Sequence, residues 1–272
     1  MNYKYLTLIL LTNLATILIG IGTAFSHEPI FGIGPHTIHK YGVGLETEFE
    51  GSSDEWALHF EAIFGVTEDI ALTASLPYQV KEETGLSNLL LRGKWRFYRK
   101  DSRGGSNQAA LALGVRTPSL QRGPDAFGYL LAATIGKEAR REYFFSGLRY
   151  MLNTTDEHGF KPGDVFKYDL AVGIRPVPAG YEAPDLVLLL ELNGTYTRQA
   201  TFRRQNSGKH PERGNKLGVG PGLIFSYKNI MLKAGLDFIV TQASKRVPFG
   251  DEVEFVFALE GHLSPFSFIY GK

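Results

Sequence analysis

The chain has no cysteine among its 272 residues, so no disulfide framework, thiolate ligand set or acylated lipoprotein cysteine is open to it. Beyond the first two dozen residues no apolar run approaches the length of a helical membrane span. Charge of one sign is also missing: 29 basic residues face 28 acidic ones, which leaves no electrostatic footprint for nucleic acid. Neither a G-x-S-x-G elbow nor a strand-borne pair of histidines at metal spacing is present. These absences remove helical-span and thiol-based classes and leave no motif for the commoner hydrolases.

The N terminus reads as an export signal. Lys4 forms a short basic region, Leu6 to Ile21 is apolar apart from interruptions such as Asn13, and Ala24-Phe25-Ser26 ends in small residues. Cleavage is expected after Ser26, making residues 1–26 a signal peptide and His27 the first mature residue.

From residue 41 the chain beats with period two. Tyr41, Val43, Leu45, Thr47 and Phe49 alternate with Gly42, Gly44, Glu46 and Glu48, followed by Glu50. Successive side chains on a strand face opposite ways, so one face is apolar and the other acidic, whereas a helix would mix them. Trp56, Leu58, Phe60, Ala62 and Phe64 repeat the pattern against His59 and Glu61, and Leu89, Leu91, Gly93, Trp95 and Phe97 against Arg92, Lys94 and Arg96. Further strands are expected near 70–79, 109–117, 126–136, 142–152, 165–175, 186–197, 216–227, 230–240 and 253–263. In 142–152 the adjacent Phe144 and Phe145 leave the facing open. About twelve strands of roughly ten residues suit a bilayer crossing, and the other face is too charged for a soluble sandwich.

The expected fold is therefore all-β, an antiparallel transmembrane barrel over 38–272 with short periplasmic turns and longer extracellular loops. The longest connection, Arg198 to Asn215, is polar and basic, which suits a solvated mobile loop first and contact with anionic lipopolysaccharide sugars second.

If the apolar face meets lipid, the other lines a lumen. Its acidic wall is Glu46, Glu48, Glu50, His59, Glu61, Asp237, Glu254 and Glu260, with Lys233 as the exception. Its basic wall is Arg92, Lys94, Arg96, Arg116, Arg149, Lys167 and Arg175, opposed by Asp169, with Glu191 also facing inward. Such walls either set a field across a narrow channel or meet in ion pairs that fill it. The Gly/Pro-rich segment at 27–37 is too irregular for a strand and reads as a periplasmic arm or a plug. Gly218, Gly220 and Gly222 leave room where it could pack. A mature His27 with His36 or His39 would form a copper-type nitrogen set, but polar histidines in a flexible arm need no metal. His59 and His262 point inward while His158 and His210 fall in loops, so no outward Ser–His site forms, and neither a catalytic residue nor a cofactor is assigned.

The stretch "LTASLPYQVKEETGLSNLLLRGKWRFYRKD", Leu72 to Asp101, resembles the outer-membrane MetA-pathway of phenol degradation family. The resemblance rests on Leu76-Pro77-Tyr78, Gly85-Leu86-Ser87-Asn88 and Arg96-Phe97-Tyr98, with "FGVTEDIAL" before them. It implies an outer-membrane β-barrel passing small molecules, including hydrophobic or aromatic compounds, and carries no functional residue set. The resulting expectation is a monomeric outer-membrane channel or transporter of a Gram-negative bacterium. Its partners would be lipid, lipopolysaccharide and a small-molecule solute. A closed structural or metal-handling barrel is the alternative, and a lipid-modifying enzyme on the same fold a third reading.

Overall fold

Alternating apolar and polar residues can satisfy lipid and water at once only in a sheet with no free edge, because unpaired backbone groups are costly in hydrocarbon. The computed structural model has that form. It describes residues 28–53, 55–80, 84–177, 183–202, 214–242, 245–246 and 252–263. The expected leader, His27 and most of the connection after Arg198 lie outside these residues.

Twelve long strands follow one another: β1 (Val43–Gly51), β2 (Trp56–Gly65), β3 (Ile70–Gln79), β4 (Leu90–Ser102), β5 (Gly105–Arg116) and β6 (Gly128–Ala139). The second half is β7 (Glu142–Asn153), β8 (Val165–Ile174), β9 (Asp185–Thr197), β10 (Gly214–Tyr227), β11 (Ile230–Gln242) and β12 (Val253–Leu263). Each pairs antiparallel with its neighbours in sequence. β1 closes the ring on β12, in register from Val43–Leu263 to Gly51–Phe255. An even strand count puts the start of β1 and the end of β12 at one end. That end carries tight turns such as Arg103–Gly104, Arg140–Arg141 and Lys228–Asn229, and is called the turn end below; the other is the loop end. At the loop end Phe160–Lys161 and Thr201–Phe202 pair as a small ribbon.

The two faces separate cleanly. Leu190 is 54 % exposed on the outside of β9 while Glu191 beside it is 1 % exposed. Leu72, Leu113, Trp95, Leu131 and Ile174 are likewise exposed outside. A one-residue register slip in β4 would carry Arg92, Lys94 and Arg96 into lipid, at about 2–4 kcal/mol for each basic residue at midplane. The pattern thus fixes the register.

Some boundaries differ from those read in the sequence. Residues 99–108, left between the strand expected to end near Phe97 and the one expected from 109, are mostly strand: β4 and β5 run on to a tight turn with Gly104 at φ +84°. Beyond the apolar band a strand meets water on both faces, so Arg99 and Asp101 pair there and the alternation fades. A bulge between Arg96 and Tyr98 leaves Phe97 and Tyr98 both facing out. Tyr41, expected in the first strand, instead sits in a turn at φ +60°, whose ends are joined by the Gly42 amide donating to the His39 carbonyl at 2.9 Å. In β7 the open facing resolves with Tyr143 and Phe145 inward and Phe144 outward.

The inward face is not uniformly polar, which the alternation did not indicate. Tyr143, Phe145, Ala171, Val187, Leu189, Ile224, Met231 and Val256 form a hydrophobic cluster inside the barrel, packed around Ile30 and Phe31 of the N-terminal arm.

Candidate functional site in the barrel lumen

The arm, Glu28 to Ile38, lies inside the ring. Its seat is built by inward residues of β4 to β11. The Glu191 carboxylate accepts the Ile30 amide at 2.8 Å and the Phe31 amide at 3.1 Å. Arg149 donates to the Phe31 carbonyl at 2.9 Å and to Asp169 at 3.1 Å. The Thr134 hydroxyl donates to the Ile33 carbonyl at 2.8 Å. Lys94 reaches Glu28 at 2.6 Å and the His36 carbonyl at 3.0 Å. An irregular chain has no ladder of its own, so its backbone groups need such side-chain partners once buried.

Missing side chains make the fit possible. A Cβ on Gly222 would meet Ile30 at 2.6 Å, and one on Gly235 would meet the Phe31 ring at 2.8 Å. Within the arm, Gly32 lets the Asp169 carboxylate approach to 2.6 Å of where its Cβ would stand.

Toward the loop end the arm floors a cavity of about 280 Å³. Glu46, Glu48, Glu50, Glu61, Asp237, Glu254 and Lys233 line one side, and Arg92, Arg149 and Lys167 the other. His59 stands behind this lining, bonded to Glu50 at 2.8 Å. Toward the turn end a smaller space of about 40 Å³ meets Lys94, Glu260 and His262. Asp169 and Glu191 lie against the arm. The remaining inward residues sit nearer the barrel ends. Arg96 bonds Asp69 at 2.8 Å and Gln108 at 3.1 Å, Arg175 bonds Asp185 at 2.6 Å, and Arg116 bonds Asn153 at 3.0 Å.

Many lumenal charges are paired. Lys233 lies 3.0 Å from Glu46 and 2.8 Å from Glu260, Arg92 lies 3.1 Å from Glu61, and Lys216 lies 2.5 Å from Glu254. The walls therefore partly meet as ion pairs and partly face each other across open space.

His36, expected in a flexible arm, is instead buried, its Nδ1 3.1 Å from the Gln108 amide and its Nε2 3.6 Å from Glu138. Burial, then the neighbouring His262, holds the His39 imidazole below its usual range against the opposing pull of Glu68. Neither ring is free in a mobile tail, and His27 is outside the described residues. The seat residues Thr134, Gln108 and Glu138, and Lys216 on the cavity lining, were not singled out in the sequence. Their inward parity was readable, but nothing local distinguishes a polar residue that holds a chain segment from one that meets water.

A closed antiparallel barrel, apolar outside and charged within, defines the class: a transmembrane β-barrel of the outer-membrane type. The family model for the MetA-pathway of phenol degradation matches residues 45–257, and the chain belongs to that family. No curated protein sequence matches it. Among solved structures, it is similar to an outer membrane channel from Pseudomonas putida F1, with a TM-score of 0.67 and 10 % identity over 88 % of this chain and all 100 % of that one. The KdgM porin, solved with disordered oligogalacturonate, matches at a TM-score of 0.49 and 9 % identity, covering 80 % of this chain and 98 % of its own. The NanC porin matches at 0.48 and 8 % identity, with the same coverages of 80 % and 98 %.

Proposed function

We propose that the protein is a passive outer-membrane channel for small molecules, restricted by its own N-terminal arm acting as a plug. The observation that carries this reading is the charge-lined cavity of about 280 Å³ that ends on the seated arm. Aromatic compounds, the class suggested by the family resemblance, and small polar solutes are both to be tried. In this reading the turn end faces the periplasm, the loops face lipopolysaccharide, and the barrel works as a monomer exported through a cleaved signal.

Cleavage has a physical rationale. Glu28 is already inside the lumen, bonded to Lys94. A leader retained before Glu28 would attach the apolar Leu6–Ile21 stretch to a segment already seated among lumenal charges, which cleavage avoids.

Planar-bilayer recording of the mature protein, beside a variant lacking residues 27–38, tests the proposal. Discrete conductance in either supports a conducting path, and a larger conductance in the shortened variant supports the plug. Silence of both at every voltage removes the channel.

One observation favours the metal-handling reading. Ligand atoms of Glu48, Glu50 and His59 all lie within 4.8 Å of one another. Titration with Zn(II) and Cu(II) checks it, and no binding at micromolar metal would dismiss it.

A further inference from the structure

Most charges around the larger cavity are spoken for. Glu28 is held by Lys94, Glu46 by Lys233, Glu50 by His59, Glu61 by Arg92, Glu254 by Lys216, and Arg149 by Asp169. Three charged groups that line the space stand apart: Glu48, Lys167 and Asp237. Glu48 on β1 and Lys167 on β8 have neither a hydrogen bond nor an ion pair among the described residues. They sit on the acidic and basic walls respectively.

A second observation is independent of these two. Asp237 lines the same cavity, is only 3 % exposed, and its Oδ1 has no hydrogen-bond partner. Asn193, also on the lining, is within reach of the Asp237 carboxylate, but neither of its amide atoms makes a well-formed hydrogen bond there. The bare backbone of Gly218 gives the Asp237 carboxylate its place, since a Cβ there would overlap it. Buried polar atoms left unmade cost about 1–3 kcal/mol each, so this lining is short of partners that a bound molecule could supply.

The unused groups differ in sign and position. Carboxylates at Glu48 and Asp237 ask for a cationic donor, and the ammonium at Lys167 asks for an anionic acceptor. The whole lining carries seven carboxylates and five cations, so neither sign dominates. A simple cation entering this space meets Lys167, Lys216 and Arg149; a simple anion meets the acids. A molecule bearing both charges satisfies both walls, and the field between them aligns its dipole.

We propose that this cavity is a binding site for small zwitterions of the amino-acid type, with the ammonium end toward Glu48 and Asp237 and the carboxylate end toward Lys167. The proposal rests on the channel reading above and assigns that path a solute class.

The test compares two isomers of equal size, zwitterionic glycine and neutral glycolamide, in swelling of proteoliposomes with EDTA present and protein-free rates subtracted. Potassium chloride conductance is recorded on the same preparations. Protein-dependent glycine entry should exceed glycolamide entry by about tenfold, the low end of what charge-lined clefts give. That ratio should fall toward one in Lys167→Met and in Glu48→Gln. Equal entry of the two isomers through the unmodified, conducting protein would overturn the site while leaving the channel standing, whether or not the variants fold. A ratio unchanged in both folded variants would overturn it too. If the protein neither conducts nor admits either isomer, the channel reading fails, and calorimetric titration of the detergent-purified protein decides the site separately. Glycine binding weakened about tenfold in both variants, a change of about 1.4 kcal/mol, would sustain it, and no glycine-specific heat would end it.

Discussion

Replacing Glu191 by alanine should loosen the arm without unfolding the barrel. The carboxylate holds two amides, those of Ile30 and Phe31, at 2.8 and 3.1 Å, in a site where it is 1 % exposed. Hydrogen bonds to a charged acceptor contribute about 1.5–3 kcal/mol each, so the two together hold about 3–6 kcal/mol. At about 1.4 kcal/mol per factor of ten, the balance between seated and displaced arm should shift by two to four powers of ten. The bonds from Arg149, Thr134 and Lys94 survive the change, so the arm should leave its seat more often rather than permanently. Hydrogen–deuterium exchange across residues 28–38 reads the shift directly, and channel open probability in a planar bilayer reads its consequence. Glu191→Gln keeps one acceptor oxygen and should fall between the two. Unchanged exchange at Ile30 and Phe31 would refute the anchoring argument. Faster exchange with unchanged current would refute the idea that the arm obstructs the path.

Lys233→Met leaves Glu46 and Glu260 facing each other without their shared cation, and removing one partner of a buried pair costs about 3–5 kcal/mol; a lower urea midpoint in lipid-folded protein checks this. Neutralising Glu46, Glu48 and Glu50 together should reduce preference for cations over anions in reversal-potential measurements, and unchanged selectivity would mean they do not line the conducting path. Burial raises the Asp164 carboxyl, but the Asn153 amide, Lys161 and Tyr150 outweigh it and hold its pKa below the usual carboxylate range. Its contribution to the loop before β8 is thus present at neutral pH and lost as pH falls through that depressed value. Pepsin cleavage within 154–164 should appear only in strong acid for the unmodified chain, and at milder acidity in Asp164→Ala.

The barrel was legible because a period of two is enforced at every step by lipid on one side. Glu46, Glu48 and Glu50 announce their face without reference to any other strand. Where the bilayer stops enforcing it, as at Arg99 to Asp101, the signal lapsed and strand went unread. Lumenal pairing was less legible, since Lys233 meets Glu260 on the adjacent strand but finds Glu46 only through closure of β12 on β1. The arm was the least readable element. It has no repeat, and its buried state shows only in what opposes it: Phe145 turned inward, and glycines at 222 and 235.

The anchor between Ile30 and Glu191 joins positions 161 apart in sequence. It cannot exist until nine staves have been laid side by side, so the bolt is shot after the doorframe is built. During assembly the half-made cylinder must stand unlatched, with the leading end of the polypeptide still loose. If the leader is cleaved as proposed above, that step belongs before the ring shuts, and a delay in it should trap a leaky, unbolted intermediate.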